Sequence, residues 1–381
     1  MASLGNQPHK ACGQHPESSV VRMKMSDFDY ELPQELIAQT PIEPRDSSRL
    51  LVVNRETATF AHRHFRDIGD YLRPGDLLIA NQSRVIPARL FGHRAESGGT
   101  VEILLLAERP DLGLNYWETI ARPGRRLRMG ERVMLGSVGE EQWLEAEVMA
   151  RTDAGGRIVR FHLVGRNIPP STSEESLRPY LDTLGNVPLP PYIHETLSDP
   201  ERYQTVYARI RGSAAAPTAG LHFTPHLLEQ LQQQGVRVGF VTLHVGLDTF
   251  RPVEEEDYTH HQIHSEEIDL DEPTAQLIRE TRQNGGRVIA VGTTSVRVLE
   301  SVAGFYNGRI EPYKGSTHLY ITPGYSYQVV DAMITNFHLP RSTLLLLVSA
   351  FMGKELMEKA YQEAIREHYR FFSFGDAMLL L

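Results

Sequence analysis

The sequence predicts an α/β protein, with a mixed α/β, barrel-like core that carries an inserted all-β barrel. Three observations lead there. From about residue 200 onward, helical and strand-like segments alternate, the pattern of a sheet built with parallel or mixed strands. Residues 88–165 differ in texture: short β-rich runs follow one another, separated by turn residues, with no long 3.6-residue period. The stretch 26–87 has strands of its own and is expected to pair with the later half, which makes the β-rich segment an insertion. The expected division is therefore a flexible extension over 1–22, an α/β catalytic core over 23–87 and 166–381, and a barrel domain over 88–165.

Taken in order, Ser26–Ile37 reads as a short extended piece, a turn at Pro33 and a helical turn. Arg49–Val53 and Asp76–Ala80 read as strands, and Val85–Phe91 resumes strand with Pro87 marking an edge or bulge. The inserted runs are ARLFG, TVEILLLAE, YWETIA, RVML, WLEAEVMA and RIVRFHLV; Pro-rich connectors, NIPPSTS and NVPLPP, lead out of them. Thr224-Pro225 starts a helix, with Thr as cap and Pro at the first helical position, and Gly235 closes it. Strand Val236–His244, helix Thr274–Asn284, strand Arg287–Val291, helix Val296–Tyr306, strands His318–Ile321 and Gln328–Asn336, and helices Ser342–Met352 and Lys354–Tyr369 complete the chain.

Composition narrows the function. The 381 residues carry a net charge of −9, which argues against a surface coated for nonspecific nucleic-acid binding. Local basic strips remain: Arg122, Arg125, Arg126 and Arg128 form one, which as a plain structural feature would be a solvated loop. The single cysteine, Cys12, rules out an intrachain disulfide and suits a reducing, cytoplasmic location. The longest apolar run, Leu344–Met352, falls far short of the ~20 residues a membrane span needs, so no membrane association is expected. Residues 1–22 lack the apolar region of a secretory signal.

Three stretches carry candidate chemistry. Gly212–Thr224, GSAAAPTAGLHFT, has no acid, Lys or Arg, and is punctuated by Gly212, Pro217 and Gly220. Its bare backbone lets another molecule approach, and it delivers Thr218 and His222 to a helix N-terminus. A tight buried crossover would look the same. In RVIAVGTTSVR (287–297), a buried strand runs into Thr293, Thr294 and Ser295 at a helix start, with Arg297 behind them; donors there suit a carboxylate or phosphate, or ordinary capping. In DAMITNFHLPRST (331–343), Asn336 and His338 follow a strand's C-terminal end, where α/β sites tend to lie. Neither a dinucleotide fingerprint nor a P-loop is present. DYTHHQIHSEE (257–267) spaces His260 and His264 as metal ligands can be spaced, but it lacks the helix and the glutamate of a zinc motif, and no metal is expected.

These stretches, with HVGLDTFRPV, YRFFSFGDAM, FDYELPQELIAQTP, GDLLIANQSRVIPARLFG and RYQTVYA, appear in an order that resembles the S-adenosylmethionine:tRNA ribosyltransferase-isomerase family of queuosine biosynthesis. The likeness spans roughly residues 26–378. It implies transfer and isomerisation of the ribosyl part of S-adenosylmethionine onto 7-aminomethyl-7-deazaguanine at the tRNA wobble position, yielding epoxyqueuosine in tRNA, adenine and methionine. S-adenosylmethionine is then a consumed substrate, and no cofactor is implied. The partners are that substrate and a tRNA anticodon stem-loop bearing the deazaguanine, met by a monomer. The sequence departs from the family pattern at Asp248, where glycine is usual, and at Ala214, where valine is usual.

That chemistry needs a base beside the sulfonium. His222 or His338 is expected to serve, with His244 as third choice, because histidine moves protons near neutral pH. Thr218, Thr293, Thr294, Ser295 and Arg297 are expected to hold substrate, Arg297 acting on the methionine carboxylate. Asn336 would read adenine or the deazaguanine edge, and Tyr369 and Arg370 would stack a base. Two rivals remain: a tRNA methyltransferase and a non-catalytic RNA-binding module.

Overall fold

The computed structural model describes residues 23–124, 127–136, 143–152, 155–164, 177–246, 253–263 and 265–381. Residues 1–22, Arg125, Arg126, Asp248 and His264 therefore lie outside the described residues.

A nine-stranded sheet organises the body. Its strands are β1 (Arg49–Asn54), β2 (Thr59–His64) and β3 (Leu77–Asn81) from the early part of the chain. The later part supplies β13 (Arg237–Leu243), β14 (Glu266–Leu270), β15 (Val288–Val291), β16 (Tyr313–Thr317), β17 (Ala332–Asn336) and β18 (Ala377–Leu380). Their order is β16-β14-β13-β3-β15-β17-β18-β1-β2. Strands β13, β3, β15 and β17 run parallel, so their C-terminal ends share one edge of the sheet. Where the sequence led us to expect a barrel-like body, pairing runs from β16 to β2 and does not close on itself among the described residues.

The central strands read as unbroken apolar runs because both faces are covered. Alternate residues go to opposite layers: Leu77, Ile79, Val288 and Ala290 join one core, Leu78, Ala80, Ile289 and Val291 the other. The first layer is packed by helices α3 (Glu272–Gln283), α4 (Thr293–Phe305), α5 (Thr343–Met352) and α6 (Lys354–Arg366). The second is packed by α2 (Pro225–Gln233) and the 3-10 segment Phe65–Tyr71. Helix α2 begins as its sequence demands: the Thr224 hydroxyl accepts a hydrogen bond from the Leu227 N–H at 3.1 Å, with Pro225 at the first helical position.

Between β3 and α2 the chain forms β4 (Ser83–Val85), then β5 (Arg89–Arg94), β6 (Thr100–Glu108), β7 (Tyr116–Arg122), β8 (Arg132–Leu135), β9 (Trp143–Arg151) and β10 (Arg157–Val164). Helix α1 (Arg178–Leu184), the short β11 (Gly185–Asn186) and β12 (Ile210–Ser213) follow, β12 pairing with β4. Strands β5-β6-β7-β10-β9-β8 pair in sequence, and β8 pairs again with β5, so this ring closes. Inward residues alternate along each strand, as Val101, Ile103 and Leu105 do on β6. Leu177 and Leu181 pack into the same apolar cluster, so the ring's core draws on residues beyond the expected boundary at 165. Among the described residues, no helix is long and apolar enough to cross a membrane.

Candidate active site

The aligned strand ends deliver the chemistry. Strand β15 passes through Gly292, at φ +85°, straight into α4, and strand β17 ends at Asn336 two residues before His338. Strand β13 leads into His244-Val245-Gly246. The loop Ser213–Pro217 is pinned beside that exit: the Val245 N–H donates to Ser213 Oγ at 2.9 Å and the Ala214 N–H to the Val245 carbonyl at 3.0 Å. Asn81, closing β3, bonds both the N–H and the carbonyl of Leu243, locking β3 to β13.

Two cavities open at this edge. A small one of about 50 Å³ is lined by Thr218, Gly292, Thr294, Asn336, His338 and Phe372, among others. A large cleft of about 1150 Å³ lies between the body and the closed ring, reaching His244 and Arg297 on one side and Trp117 and Ile120 on the other. Val245 and Leu344 line both, so the cavities adjoin.

The small cavity gathers residues from three sequence stretches. Thr218 Oγ1 donates to Asn336 Oδ1 at 3.4 Å, and Asn336 Nδ2 donates to the Phe372 carbonyl at 3.1 Å. His338 Nε2 shares a hydrogen bond with Thr335 Oγ1 at 2.7 Å. With the proton on Nε2, the Nδ1 lone pair is free to accept another. Burial pushes the His338 imidazole down to about 3, so it is neutral at physiological pH. The hydroxyl of Thr294, in the first turn of α4, has no hydrogen-bond partner among the described residues. The Ser295 hydroxyl turns back to the Val291 carbonyl at 2.8 Å and is spent within the helix. Thr293 is buried at the same helix start.

His222 sits apart from both cavities, 4% exposed. Its Nε2 meets Asn336 Nδ2 at 3.3 Å and its Nδ1 meets Ser48 Oγ at 2.7 Å; with Nε2 accepting, Nδ1 carries the proton. The ring stacks on Phe65 with centroids 4.9 Å apart. Burial, reinforced by Arg370 and Arg45, lowers its pKa to about 3. Both ring nitrogens are engaged within the protein, one on Asn336 and one on Ser48.

His244 lines the large cleft, with its ring against Gly212, whose φ is +143°. A Cβ at Gly212 would come within 2.8 Å of that ring. Gly212→Ala is therefore expected to push His244 out of place and strain the loop, lowering turnover by about tenfold and the melting temperature by a few degrees. Steady-state kinetics beside a thermal melt checks this; unchanged turnover would remove His244 from the working site.

Arg297, 7% exposed, reaches from α4 to the cleft. Nη1 donates to Glu266, whose other oxygen accepts the Gly246 N–H at 3.1 Å, and Nε donates to the Leu319 carbonyl at 3.3 Å. Nη2 has no partner. Burial lowers the guanidinium to about 10, which leaves it charged at neutral pH. The rest of the cleft is acidic. Glu108, Glu118 and Asp182 face it from the ring side, Glu254, Glu255 and Glu267 from the body. The only other guanidinium among its described lining residues, Arg211, already pairs with Asp182.

Other expected site residues fall elsewhere. Tyr369 is 0% exposed, with Arg49 stacked 3.8 Å above its ring and its hydroxyl bonded to His62 at 2.8 Å; it has no face open to a base. Arg370 bonds the Thr40 carbonyl and lines neither cavity. From the same stretch, Phe372 does line the small cavity, 4.8 Å from the Tyr192 ring. Arg122 and Arg128 are exposed on the ring domain. Glu266, the anchor of Arg297, reads in the sequence only as a carboxylate near His260 and His264; the alternation of Glu266, Ile268 and Leu270 is the available strand signal.

Residues 25–380 match the family described as queuosine biosynthesis protein. A protein of Symbiobacterium thermophilum named S-adenosylmethionine:tRNA ribosyltransferase-isomerase is 54% identical over 359 residues, covering 94% of this chain and 100% of the relative. One of the same name from Heliobacterium modesticaldum is 53% identical over 361 residues, with 94% and 100% covered. The crystal structure of an S-adenosylmethionine tRNA ribosyltransferase from Thermotoga maritima matches with a TM-score of 0.51 and 39% identity, covering 93% of this chain and 100% of that one.

Proposed function

The chain belongs to the queuosine biosynthesis protein family, and from that footing we propose that it transfers and isomerises the ribosyl moiety of S-adenosylmethionine onto 7-aminomethyl-7-deazaguanine in tRNA, releasing adenine and methionine. The observation that carries this reading is the acidic cleft with one buried, partly unpartnered guanidinium, adjoining a small pocket with a neutral imidazole. S-adenosylmethionine has matching charges. Its sulfonium and ammonium suit the carboxylate walls, and its carboxylate suits Arg297 Nη2, a charge-assisted donor in a dry place.

In this reading His338 takes the proton beside the sulfonium through Nδ1, with Thr335 fixing the ring. Thr294 and the first N–H groups of α4 face the leaving adenine or the opening sugar, where donors at a helix start favour developing negative charge. Thr218 and Asn336 hold the base edge, and His222 keeps Asn336 in place. The amine of the deazaguanine must lose a proton before attack, and the cleft carboxylates, with His244, are within the same cavity to receive it. These residues complete the cycle by acid–base and positioning work alone, with S-adenosylmethionine as a consumed substrate.

The test is product analysis with purified protein, S-adenosylmethionine and tRNA carrying the aminomethyl-deazaguanine. Free adenine, with a nucleoside that has gained an epoxycyclopentyl group, is expected. S-adenosylhomocysteine and methylated RNA would replace this reading with a methyltransferase. His338→Gln keeps a bond to Thr335 but cannot accept the proton, and adenine release should fall about 100-fold with S-adenosylmethionine affinity unchanged. Wild-type turnover in that variant would move the base elsewhere.

A further inference from the structure

The cleft raises a problem that the neighbouring surface answers. Its described walls carry far more carboxylate than guanidinium, so a phosphodiester backbone is repelled from it. A nucleotide entering base-first must leave its flanking phosphates on some other surface, and that surface must be continuous with the cleft.

The outer face of β5, β6 and β7 meets this condition. Phe91, Glu102 and Arg122 are direct cross-strand neighbours in one row. The next row along the same face is Arg89, Leu104 and Ile120, and Ile120 lines the large cleft. Two residues of strand separate the rows, about 7 Å. Helix α1 borders both places, with Asp182 at the cleft and Thr183 at a second cavity of about 810 Å³ around Phe91 and Arg122.

The first row is built unlike a solvated strand face. Phe91 is 54% exposed, a large aromatic ring presented to solvent. Arg122 has no hydrogen-bond or ion-pair partner among the described residues. Glu102 between them is already neutralised by Arg89 at 3.1 Å. Across two strand spacings, about 10 Å, the row thus offers a stacking ring and an unspent cation, the pair that grips one nucleotide of a single strand.

We propose that this row docks the single-stranded RNA flanking the modified nucleotide, with one unpaired base stacked on Phe91 and a neighbouring phosphate held by Arg122. The assignment rests on the tRNA reading above. Bases displaced from an anticodon loop are the form of RNA such a ring recognises, and the acidic cleft next door then receives only the aminomethyl base.

The experiment uses the full chain and a synthetic anticodon stem-loop RNA, titrated at several salt concentrations, with S-adenosylmethionine binding measured in parallel. Phe91→Ala is expected to weaken RNA binding about tenfold, while Phe91→Tyr, which keeps the ring, stays within about twofold of wild type. Arg122→Ala should flatten the slope of log affinity against log salt by about 0.7, the signature of one lost phosphate contact. S-adenosylmethionine affinity should hold in all three, which shows that the fold is intact. RNA affinity and salt slope unchanged in both alanine variants would overturn the docking row while leaving the tRNA reading standing. Absence of RNA binding by the wild-type chain would overturn both.

Discussion

Replacing Glu300 with alanine is expected to cost about 4 kcal/mol of folding stability, although the residue touches neither cavity. Its carboxylate is 0% exposed on α4, and it forms no ion pair among the described residues. Four donors converge on it instead: the N–H groups of Gln328, Val329 and Val330 at 2.8, 3.0 and 3.0 Å, and the Tyr325 hydroxyl at 3.1 Å. Alanine strands two buried backbone donors, those of Val329 and Val330, together with the part-buried Gln328 N–H and a phenol; each buried one costs about 1–3 kcal/mol if nothing replaces the acceptor. Glutamine separates charge from hydrogen bonding. It keeps one acceptor oxygen but turns the other into a donor that faces donors, so about half the alanine loss is expected. Urea unfolding of both variants measures this; a loss under about 1 kcal/mol for Glu300→Ala would mean that segment 325–330 is not held by this carboxylate. Because Arg297 and Thr294 ride on the same helix, the alanine variant should also bind S-adenosylmethionine less tightly.

Glu300 also marks what the sequence could not disclose. A glutamate in VRVLES reads as a solvent-facing helix position, and only the return of residues 325–330 over the helix converts it into a buried anchor. The local signals fared better. Thr224-Pro225, Gly235 and Ser342 mark helix ends by chemistry that acts within four residues, and the structure has caps and turns there. The helix expected from Val296 begins three residues earlier, at Thr293, because Gly292 at φ +85° turns the chain directly into it; this is why Ser295 bonds backward instead of facing substrate. The tail was legible only as an apolar ending. It lies between β17 and β1, and its pairing with β1 is a contact across more than 300 residues for which no short-range pattern exists. The same holds for Tyr369: an aromatic next to arginine is as suited to a core as to a base, and burial decided between them.

Acid should loosen this fold well before carboxylates are protonated, by about 3 kcal/mol between pH 6.5 and pH 5. The cause is the pair of buried imidazoles. His222 and His338 titrate near 6.5 in an unfolded chain and at about 3 when folded. Between those values the unfolded state binds more protons, so stability is complete above pH 6.5 and falls as pH drops, by about 1.4 kcal/mol per unit for each ring. Asp376 works in the opposite sense: burial raises its pKa, so its neutral form favours folding as the pH falls. Asp76, raised by burial but pulled down on balance by its bonds to Arg287 and Arg73, loses its contribution only below 3.8. Urea midpoints at pH 7, 6 and 5 for wild type, His222→Gln and His338→Gln would resolve the two rings, each variant being expected to remove about half of the slope. A wild-type stability that is level from pH 6.5 to pH 5 would mean that neither ring is held neutral. The same burial that makes the fold acid-sensitive keeps His338 unprotonated throughout the physiological range. Turnover should therefore show no acid limb from His338 above pH 5, and because the same burial weakens the imidazole as a base, the bound substrate has to raise its pKa before it takes a proton.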